Sequence, residues 1–269
     1  MKIATLGPQG TFSHEAVLKY DKKAKILFVD TLRDVFDSVE KNKADLGIVP
    51  IENSVAGTIG QTLDYLMQFK LKINAEEIIP ISHNLVGFGR VDGIRILYIH
   101  PQTYEQCELF IRKNFQNAEI VQTSSNGKSA EIISKSKDKK IASIIPKIAV
   151  EIYGLKILKK DAQDNRFNVT RFLIIAKDDG KKTGYDRTSI AIYPQIDRPG
   201  LLYEILGQFA KRKINLTKIE SRPSKGKLGD YIFYIDFEGH KLEKNVAEVL
   251  KKLEEKVFVT VLGSYPRKY

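Results

Sequence analysis

Apolar positions along the first 176 residues alternate between two spacings, one typical of strands and one typical of helices. Short apolar runs bounded by turn residues predict strands at residues 2–6, 26–29, 45–49, 73–79, 85–88, 94–99, 119–122, 141–144, 156–158 and 170–176. Apolar positions three and four apart predict helices at residues 13–20, 32–41, 58–69, 102–115 and 128–134, and a short one ending at 153. This alternation predicts an α/β fold with largely parallel sheets, whose ligands bind at the carboxyl ends of strands.

The pattern breaks at residues 177–186, which carry two glycines, six charged side chains and no apolar periodicity. Such a composition is typical of a linker between domains. The elements after it are strand, helix, strand, strand, helix and strand, at residues 188–193, 201–212, 215–222, 231–237, 242–253 and 258–262. This βαββαβ order predicts a ferredoxin-like sandwich. We therefore expect one domain at residues 1–177 and a second at residues 188–269.

Length and apolar content predict a soluble protein. The 269 residues suit two domains, and no apolar run approaches the roughly 20 residues of a membrane span. The first residues predict a strand rather than a signal peptide. The single cysteine, Cys107, agrees with a reducing compartment and lies in a predicted helix, where we expect it to be part of the core. We therefore expect a cytoplasmic protein.

The charge of the chain is strongly positive but scattered. A formal net charge of +11 results from 44 Lys and Arg against 33 Asp and Glu, with many lysines in separate pairs. No basic stripe with interleaved aromatic residues is evident, so nucleic acid is not an expected partner. The four histidines, His14, His83, His100 and His240, have no neighbours at metal-ligand spacing, so we expect no metal.

Three loops follow predicted strands at the edge where ligands are expected. Residues 7–13 could receive an anion at a helix start, or could form an ordinary tight turn with Ser13 as the N-cap. Residues 50–58 carry Glu52, Asn53 and Ser54 at the tip of the loop, as a binding site or as common turn residues. Residues 100–107 place two glutamines on one helix face. Such a pair more often lies on the protein surface than in a binding site.

The segment Asn168-Val169-Thr170-Arg171-Phe172 puts a hydroxyl and a guanidinium where an apolar strand begins. A strand start is a rigid mount, and a hydroxyl beside a guanidinium can hold a carboxylate while donating to a second oxygen. The segment therefore suits a small anionic substrate.

These motifs resemble the prephenate dehydratase family, in order and across nearly the whole chain. They are Gly7-Pro8-Gln9-Gly10-Thr11-Phe12-Ser13, Pro50-Ile51-Glu52-Asn53-Ser54 with Gly57-Thr58, His100-Pro101-Gln102 with Gln106-Cys107, and Asn168-Val169-Thr170-Arg171-Phe172. One departure is Ile99, which stands where members often carry serine. After the linker, Arg198-Pro199-Gly200-Leu201-Leu202 and Glu220-Ser221-Arg222-Pro223 resemble the two effector motifs of the ACT regulatory domain.

The resemblance implies decarboxylative dehydration of prephenate to phenylpyruvate in phenylalanine biosynthesis, without a cofactor. It implies a two-lobed, periplasmic-binding-protein-like catalytic domain, with one lobe at about 1–78 and 168–177, the other at 79–167, and chain crossings near 78–81 and 160–168. Thr170 would donate to the departing hydroxyl. The substrate would contact Thr11, Asn53, Ser54, Gln106, Arg171 and Phe172. Two alternatives stay open, because Arg171 could instead form a structural salt bridge and Glu52 could relay a proton or be a turn carboxylate.

The ACT resemblance implies that phenylalanine is sensed between subunits of a homodimer or homotetramer. The effector-binding residues would be Pro199, Gly200, Leu201, Asn215, Leu216, Glu220 and Ser221. Gly200 permits close approach of the backbone to a ligand. The alternative is that Gly200 only starts a helix and that the domain serves dimerisation.

Two other functions remain open at this point. The first is a non-catalytic binding protein or regulator with an amino-acid sensor, which would have the same two-lobed cleft. The second is an arogenate dehydratase, which would need an acceptor for the ammonium group of its substrate. No helical stretch precedes Met1, so we expect no fused chorismate mutase.

Overall fold

The computed structural model of the protein describes residues 1–194, 198–224, 226 and 230–269. By its internal contacts the chain forms two compact units. The first consists of Met1–Val35, Ile48–Ile59 and Glu77–Phe172, and the second of Phe36–Gly47, Gly60–Glu76 and Leu173–Tyr269. Each unit thus draws on segments far apart in sequence, and the domain boundary predicted between residues 177 and 188 stays a prediction.

Strands and helices alternate through residue 176, as the hydrophobic spacing predicts. The strands are β1 (Lys2–Leu6), β2 (Lys25–Val29), β3 (Leu46–Asn53), β4 (Gly57–Thr58), β5 (Lys72–Pro80), β6 (His83–Gly87), β7 (Ile96–Ile99), β8 (Glu119–Gln122), β9 (Ile141–Pro146), β10 (Ile157–Lys159) and β11 (Val169–Ala176). The helices are α1 (Phe12–Tyr20), α2 (Leu32–Glu40), α3 (Gly60–Gln68), α4 (Pro101–Gln106), α5 (Glu108–Asn114), α6 (Asn126–Ser136) and α7 (Lys147–Tyr153). A 3-10 turn lies at Val91–Gly93.

These strands form two sheets. The first has the order β2-β1-β3-β11-β5, with β4 paired to β3, and the second has the order β10-β6-β9-β7-β8. In the second sheet β7 is parallel to β8 and β9, whereas β6 is antiparallel to β9 and β10. The prediction of largely parallel sheets therefore fails for β6. The chain enters the second sheet directly from β5, at the edge where β9 ends, so β6 must run the opposite way.

The carboxyl-terminal segment forms the predicted sandwich. Its elements are β12 (Asp186–Tyr193), α8 (Leu201–Lys211), β13 (Leu216–Pro223), β14 (Tyr231–Glu238), α9 (Lys244–Glu254) and β15 (Phe258–Pro266). The strands form an antiparallel sheet in the order β13-β14-β12-β15. The apolar core lies between this sheet and the two helices, and includes Ile190, Ile235, Phe209, Val249 and Leu253. No helix in the described ranges is long and apolar enough to cross a membrane.

Two helix predictions near the candidate site need correction. Helix α1 begins at Phe12, and its N-cap is Thr11, whose hydroxyl accepts a hydrogen bond from the His14 amide at 3.3 Å. The prediction of Ser13 as the N-cap is therefore wrong, and Ser13 is buried in the first helical turn. The predicted helix over 58–69 begins only at Gly60, because Gly57–Thr58 pairs with the end of β3.

The helix predicted over 102–115 is two helices that meet at Cys107. That residue has non-helical dihedral angles, with φ −127° and ψ 18°, and it ends α4 and precedes α5. Cys107 is fully buried, which confirms its predicted place in the core. Burial, with the nearby Asp164 carboxylate, raises the pKa of its thiol, so this cysteine is a packing residue rather than a nucleophile.

Candidate active site

The first cluster of predicted site residues lies where β3 ends and β11 begins. Asn53, the last residue of β3, donates from Nδ2 to Oδ1 of Asn168 at 2.7 Å and to Oγ1 of Thr170 at 2.9 Å. The main-chain amide of Ser54 also donates to the carbonyl of Val169 at 2.9 Å. Residues more than 100 positions apart in sequence are thus joined in one buried network.

The orientation of the Asn53 amide follows from its surroundings. Its Oδ1 accepts hydrogen bonds from the main-chain amides of Val55 and Ala56, at 3.0 and 2.9 Å. Turning the amide over would place its NH2 group against those two donors and its oxygen against the Asn168 oxygen. Asn53 is therefore the donor to Thr170.

This direction determines what the Thr170 hydroxyl can do. Its oxygen accepts from Asn53, and in the part of the chain that the structure describes it makes no second hydrogen bond. A hydroxyl carries one donor hydrogen as well as its acceptor lone pairs. The Thr170 hydrogen is thus available to a bound molecule.

Thr170 lies in a nearly closed environment. Its side chain retains 8% of its accessible surface, so it is buried without being sealed. Ser54, on the adjoining turn, is exposed, and its hydroxyl accepts from the Val169 amide at 3.0 Å. Phe167, three residues before Thr170, is 88% exposed. A hydrogen-bond donor in such a place is screened from bulk water, which strengthens its electrostatic effect.

Asn53 and Ser54 were predicted at the tip of a loop, but Asn53 is on a strand. The strand β3 continues to Asn53 because Glu52 and Asn53 pair with Thr58 and Gly57 of β4. This short hairpin holds the Asn53 backbone on both sides. The side chain is therefore mounted more rigidly than a loop tip would allow.

A second cluster surrounds the start of β6. Gln106, the last residue of α4, has its Oε1 2.9 Å from Nε2 of His83. The ring of Phe12, next to Thr11, lies edge-on to His83 with 5.3 Å between centroids. His83 is 1% exposed. Burial, assisted by the nearby His100, lowers the pKa of His83 to about 4 against the opposing effect of the Gln106 bond, so the ring is neutral.

The two clusters share a backbone connection. The amide of Ile81 donates to the carbonyl of Asn168, and the amide of Ala162 donates to the carbonyl of His83, both at 2.8 Å. These bonds join the segment between β5 and β6 to the segment between β10 and β11, which are the two places where crossings were predicted. The Thr11 hydroxyl bonds to Pro8 and His14 at the start of α1, and Gln106 bonds to His83, so none of these bonds involves Thr170.

Arg171 and Phe172 have different environments from Thr170. The Arg171 side chain is 3% exposed, with Nη1 3.6 Å from Oε1 of Glu52. Because side chains alternate along a strand, Arg171 lies on the sheet face opposite to Thr170, and Phe172 returns to the Thr170 face. The Glu52 contact favours the structural salt bridge. Phe172 is almost fully buried, so its contact with a substrate ring stays a prediction, as does carboxylate binding by Arg171.

The predicted effector residues fall into two groups at opposite ends of α8. Gly200 precedes this helix with φ +82°, a left-handed conformation that favours glycine. Asn215 follows the helix and donates to Oε1 of Glu238 at 3.2 Å. The helix has 11 residues, which corresponds to a length of roughly 16 Å. One chain therefore does not bring Pro199, Gly200 and Leu201 to Asn215 and Leu216.

Glu220 and Ser221 belong to the Gly200 end of the sheet. Ser221 of β13 pairs with Phe233 of β14, which in turn pairs with Ile192 near the end of β12. The Glu220 carboxylate contacts Nζ of Lys218 at 3.1 Å and Nη1 of Arg222 at 3.7 Å. It is thus shared between two cations.

Two residues of these networks were not predicted from the sequence as site residues. Asn168 provides an oxygen to Asn53, and His83 bonds to Gln106. Their signals are modest: Asn168 opens the Thr170 segment, and His83 with Asn84 forms a polar pair inside the apolar run 78–88. In the described residues no group of three or more His, Cys, Asp or Glu side chains could hold a metal ion.

Comparison with known proteins identifies the family of this chain. The prephenate dehydratase family model matches residues 3–180, and the ACT domain model matches residues 195–255. The chain is 42% identical to a bifunctional chorismate mutase/prephenate dehydratase of Aquifex aeolicus, covering 99% of this chain and 74% of that protein. It is 42% identical to a prephenate dehydratase of Methanocaldococcus jannaschii, covering 96% of each.

A solved structure is also similar. The crystal structure of prephenate dehydratase from Arthrobacter aurescens in complex with L-Phe has a TM-score of 0.91 and 34% identity, covering 99% of this chain and 90% of that one. The predicted α/β fold class and the predicted regulatory domain are confirmed by these findings. The chain therefore belongs to the prephenate dehydratase family and carries an ACT domain.

Proposed function

We propose that this enzyme converts prephenate to phenylpyruvate, and that phenylalanine inhibits it through the ACT domain. The observation that carries the proposal is the hydrogen bond from Asn53 to Thr170, which leaves the threonine hydrogen free to act on a substrate. Membership of the family, with dehydratase relatives similar over nearly the full chain, supports the same reaction.

The reaction asks little of the protein beyond positioning and one proton. The bond from the ring to its carboxylate breaks and its electron pair enters the ring, while the bond to the hydroxyl on the opposite carbon breaks. The prephenate dianion and one proton become the phenylpyruvate anion, CO2 and water. Because the ring becomes aromatic, neither an oxidant nor a strong base is required.

Thr170 would supply a hydrogen bond to the departing hydroxyl. An alcohol is a weak acid on its own, so the hydroxyl acts by stabilising and orienting the leaving oxygen while a proton from solvent is relayed to it. The bond accepted from Asn53 polarises the Thr170 O–H and strengthens its donation. Asn53 is in this way both a member of the polar lining and the residue that directs the donor.

The remaining predicted contacts complete the substrate site. Ser54 offers a hydroxyl, the Thr11 hydroxyl would exchange its bond to the Pro8 carbonyl, at 3.2 Å, for one to the substrate, and the Gln106 amide offers N–H donors to a carboxylate. Arg171 would either offset the negative charge of the substrate from the opposite face of the sheet or bind a substrate carboxylate directly. Phe172 would shape the apolar wall for the ring.

The effector proposal includes an oligomer. The two groups of predicted effector residues lie at opposite ends of α8, so a complete phenylalanine site requires a second copy of the domain. Exposed apolar side chains on the ACT domain, Tyr203, Ile219, Leu242 and Phe258, support contact between copies. The L-Phe bound in the Arthrobacter structure supports phenylalanine as the effector. A homodimer or homotetramer located in the cytoplasm is part of this proposal.

The test is an absorbance assay for phenylpyruvate, with prephenate and arogenate side by side and with a metal chelator present. We expect turnover of prephenate, no effect of the chelator, and inhibition by phenylalanine. A preference for arogenate would make the enzyme an arogenate dehydratase. Binding of both compounds without turnover would support the non-catalytic regulator instead.

A further inference from the structure

We propose that His83 is a positioning residue, which holds the Gln106 side chain in the orientation that binds substrate. The two side chains meet between the start of β6 and the end of α4, at 2.9 Å between His83 Nε2 and Gln106 Oε1. The inference rests on the proposed function, in which Gln106 contacts the substrate.

The hydrogen of the neutral imidazole belongs on Nε2. From there it donates to the Gln106 oxygen, and Nδ1 is left as a bare acceptor, which has no hydrogen-bond partner in the described part of the chain. With the hydrogen on Nδ1 instead, Nε2 and the Gln106 oxygen would be two acceptors facing each other. If the Gln106 amide turned over to avoid this, the Nδ1–H group would be buried without an acceptor. His83 is therefore the donor.

This donor determines what Gln106 presents to a ligand. With its oxygen held by His83, the amide directs its NH2 group elsewhere, and an anionic substrate needs donors. Without His83, the amide could rotate and present its oxygen to a carboxylate, which is repulsive. The Gln106 backbone is held separately, because its carbonyl accepts from the Asp164 amide at 2.8 Å.

His83 is itself held from three sides. Its ring contacts Phe12 edge-on, its amide donates to Oε1 of Gln163 at 2.9 Å, and its carbonyl accepts from Ala162. A side chain fixed in this way transmits its orientation to the group it bonds, as a supporting residue in an active site must.

The test is a double-mutant cycle in kcat/KM for prephenate. His83→Leu should lose about 10- to 100-fold, whereas His83→Gln, which keeps an N–H donor near the Nε2 position, should lose less than about 5-fold. In a Gln106→Ala background, His83→Leu should cost less than about 3-fold, because the group it positions is gone. If His83→Leu does not fold, His83→Asn, which is too short to reach Gln106, replaces it.

The outcomes separate this inference from the proposed function. Additive losses in the cycle, or equal losses for His83→Gln and His83→Leu, would overturn the positioning role while wild-type turnover still supports the reaction. An inactive wild type would contradict both. Ser82→Ala is the matched control, since Ser82 precedes His83 and, among the described residues, its hydroxyl bonds to Asp161 alone, at 3.1 Å, so its turnover should equal that of the wild type.

A separate observation concerns regulation, and again rests on the proposed function. We propose that Arg222 couples the effector motif to helix α3. Its Nη1 lies 3.7 Å from Glu220 of the same motif, and its Nη2 lies 3.6 Å from the Asp64 carboxylate of α3. Its guanidinium also covers Gly60, the first residue of α3, so closely that any Cβ there would overlap it.

The chain runs from the Asn53 hairpin into α3. Only Ile59 separates α3 from β4, and Gly57 of β4 pairs with Asn53. An amino-acid ammonium bound by Glu220 would compete with both Lys218 and Arg222 for that carboxylate. Arg222 would then bind Asp64 alone, and the shift of α3 would reach Asn53 through the short hairpin.

Asp64→Asn tests the coupling without altering the effector motif or the catalytic cluster. Basal turnover should match that of the wild type, and the phenylalanine affinity measured by calorimetry should change by less than about 5-fold. The inhibition at saturating phenylalanine should fall by about half or more. Gly60→Ala, which displaces the guanidinium, should do the same. Full inhibition in both variants would overturn the coupling, and a wild type that binds no phenylalanine would contradict the effector proposal itself. Glu248→Gln, which removes a surface ion pair with Arg212, is the control and should keep full inhibition.

Discussion

At the scale of single residues, the Asn53 amide decides where the Thr170 hydrogen can go. Its oxygen satisfies two main-chain amides of the following turn, so its NH2 group must face Thr170 and Asn168. An amide is needed here because a carboxylate of the same shape would accept from Thr170 instead of donating to it.

Asn53→Asp tests this direction with an almost isosteric change. One carboxylate oxygen would keep the bonds from Val55 and Ala56, so the turn should survive. The other would capture the Thr170 hydrogen, and we expect kcat for prephenate to fall by about 10²-fold or more. Steady-state kinetics and circular dichroism measure both effects. A variant with near-normal kcat would show that the amide does not direct the donor.

His83 should make stability depend on pH. Burial lowers its pKa from 6.5 to about 4, so between these values the unfolded chain binds a proton that the folded chain does not. The free energy of unfolding therefore rises with pH across this window, and acidification from about pH 7 to about pH 5 should cost about 2 kcal/mol through this residue.

His83→Gln removes that titration. In urea unfolding, the variant should lose less unfolding free energy on acidification than the wild type, because it lacks the His83 titration. Some loss should remain in both proteins, because burial also lowers the pKa values of His14 and His100. Equal losses in the two proteins would mean that His83 is not the group responsible.

At the scale of secondary structure, most strands and helices follow from local periodicity, and the exceptions follow from tertiary bonds. The apolar positions Cys107, Ile111 and Phe115 keep helical spacing through 102–115, yet the helix breaks. The Asp164 carboxylate, about 55 residues away, accepts from the amides of Leu109 and Phe110 at 2.9 and 3.2 Å and so caps a new helix. Periodicity cannot show a cap supplied by a distant carboxylate.

The same limit applies to the site. The motif containing Thr170 and the loop containing Asn53 were recognisable in the sequence, but their hydrogen bond was not, since it joins residues 117 positions apart. The extension of β3 to Asn53 was missed because Pro50, Glu52 and Asn53 do not look like strand residues. Pairing with β4 overrides that local preference.

The start of α8 gives a prediction at this scale. Gly200 has φ +82°, and a Cβ there would meet none of the atoms that the structure describes within 4 Å, so among the described residues a side chain is opposed by backbone strain. Gly200→Val should abolish both the phenylalanine inhibition and the rise in melting temperature that phenylalanine causes. Gly207→Ala, inside the same helix with equally free space, is the control and should retain both. An unaltered response in Gly200→Val would remove this turn from the effector site.

At the scale of the whole molecule, each compact unit combines segments that the linear pattern keeps apart. In the second unit, Arg187 of β12 and Glu76 of β5 form an ion pair at 2.6 Å with both side chains fully buried. Glu76 also accepts from the amide of Lys268 at 2.8 Å, and the Arg187 guanidinium lies over the Tyr269 ring. This pairing joins residues 60–76 to the carboxyl-terminal part of the chain, which no hydrophobic pattern reveals.

Removing one charge of this pair should destabilise the protein strongly. Glu76→Gln would leave the buried guanidinium without its ion-pair partner, which costs about 3–5 kcal/mol. The double variant Glu76→Gln with Arg187→Met should lose less than the single one, because no charge then remains buried. Urea denaturation of the three proteins measures this. A larger loss in the double variant would mean that the side chains contribute by shape rather than by charge.

The account as a whole depends on one hydroxyl, and the most direct measurement compares kcat for prephenate in Thr170→Val and Thr170→Ser. Valine keeps the shape, removes the hydrogen and deprives Asn53 of one acceptor, at a cost in stability of about 1 kcal/mol. We predict that Thr170→Val stays folded and loses about 10²- to 10⁴-fold in kcat, while Thr170→Ser stays within about tenfold of the wild type. Wild-type turnover in Thr170→Val, or an equal loss in both variants, would contradict the account.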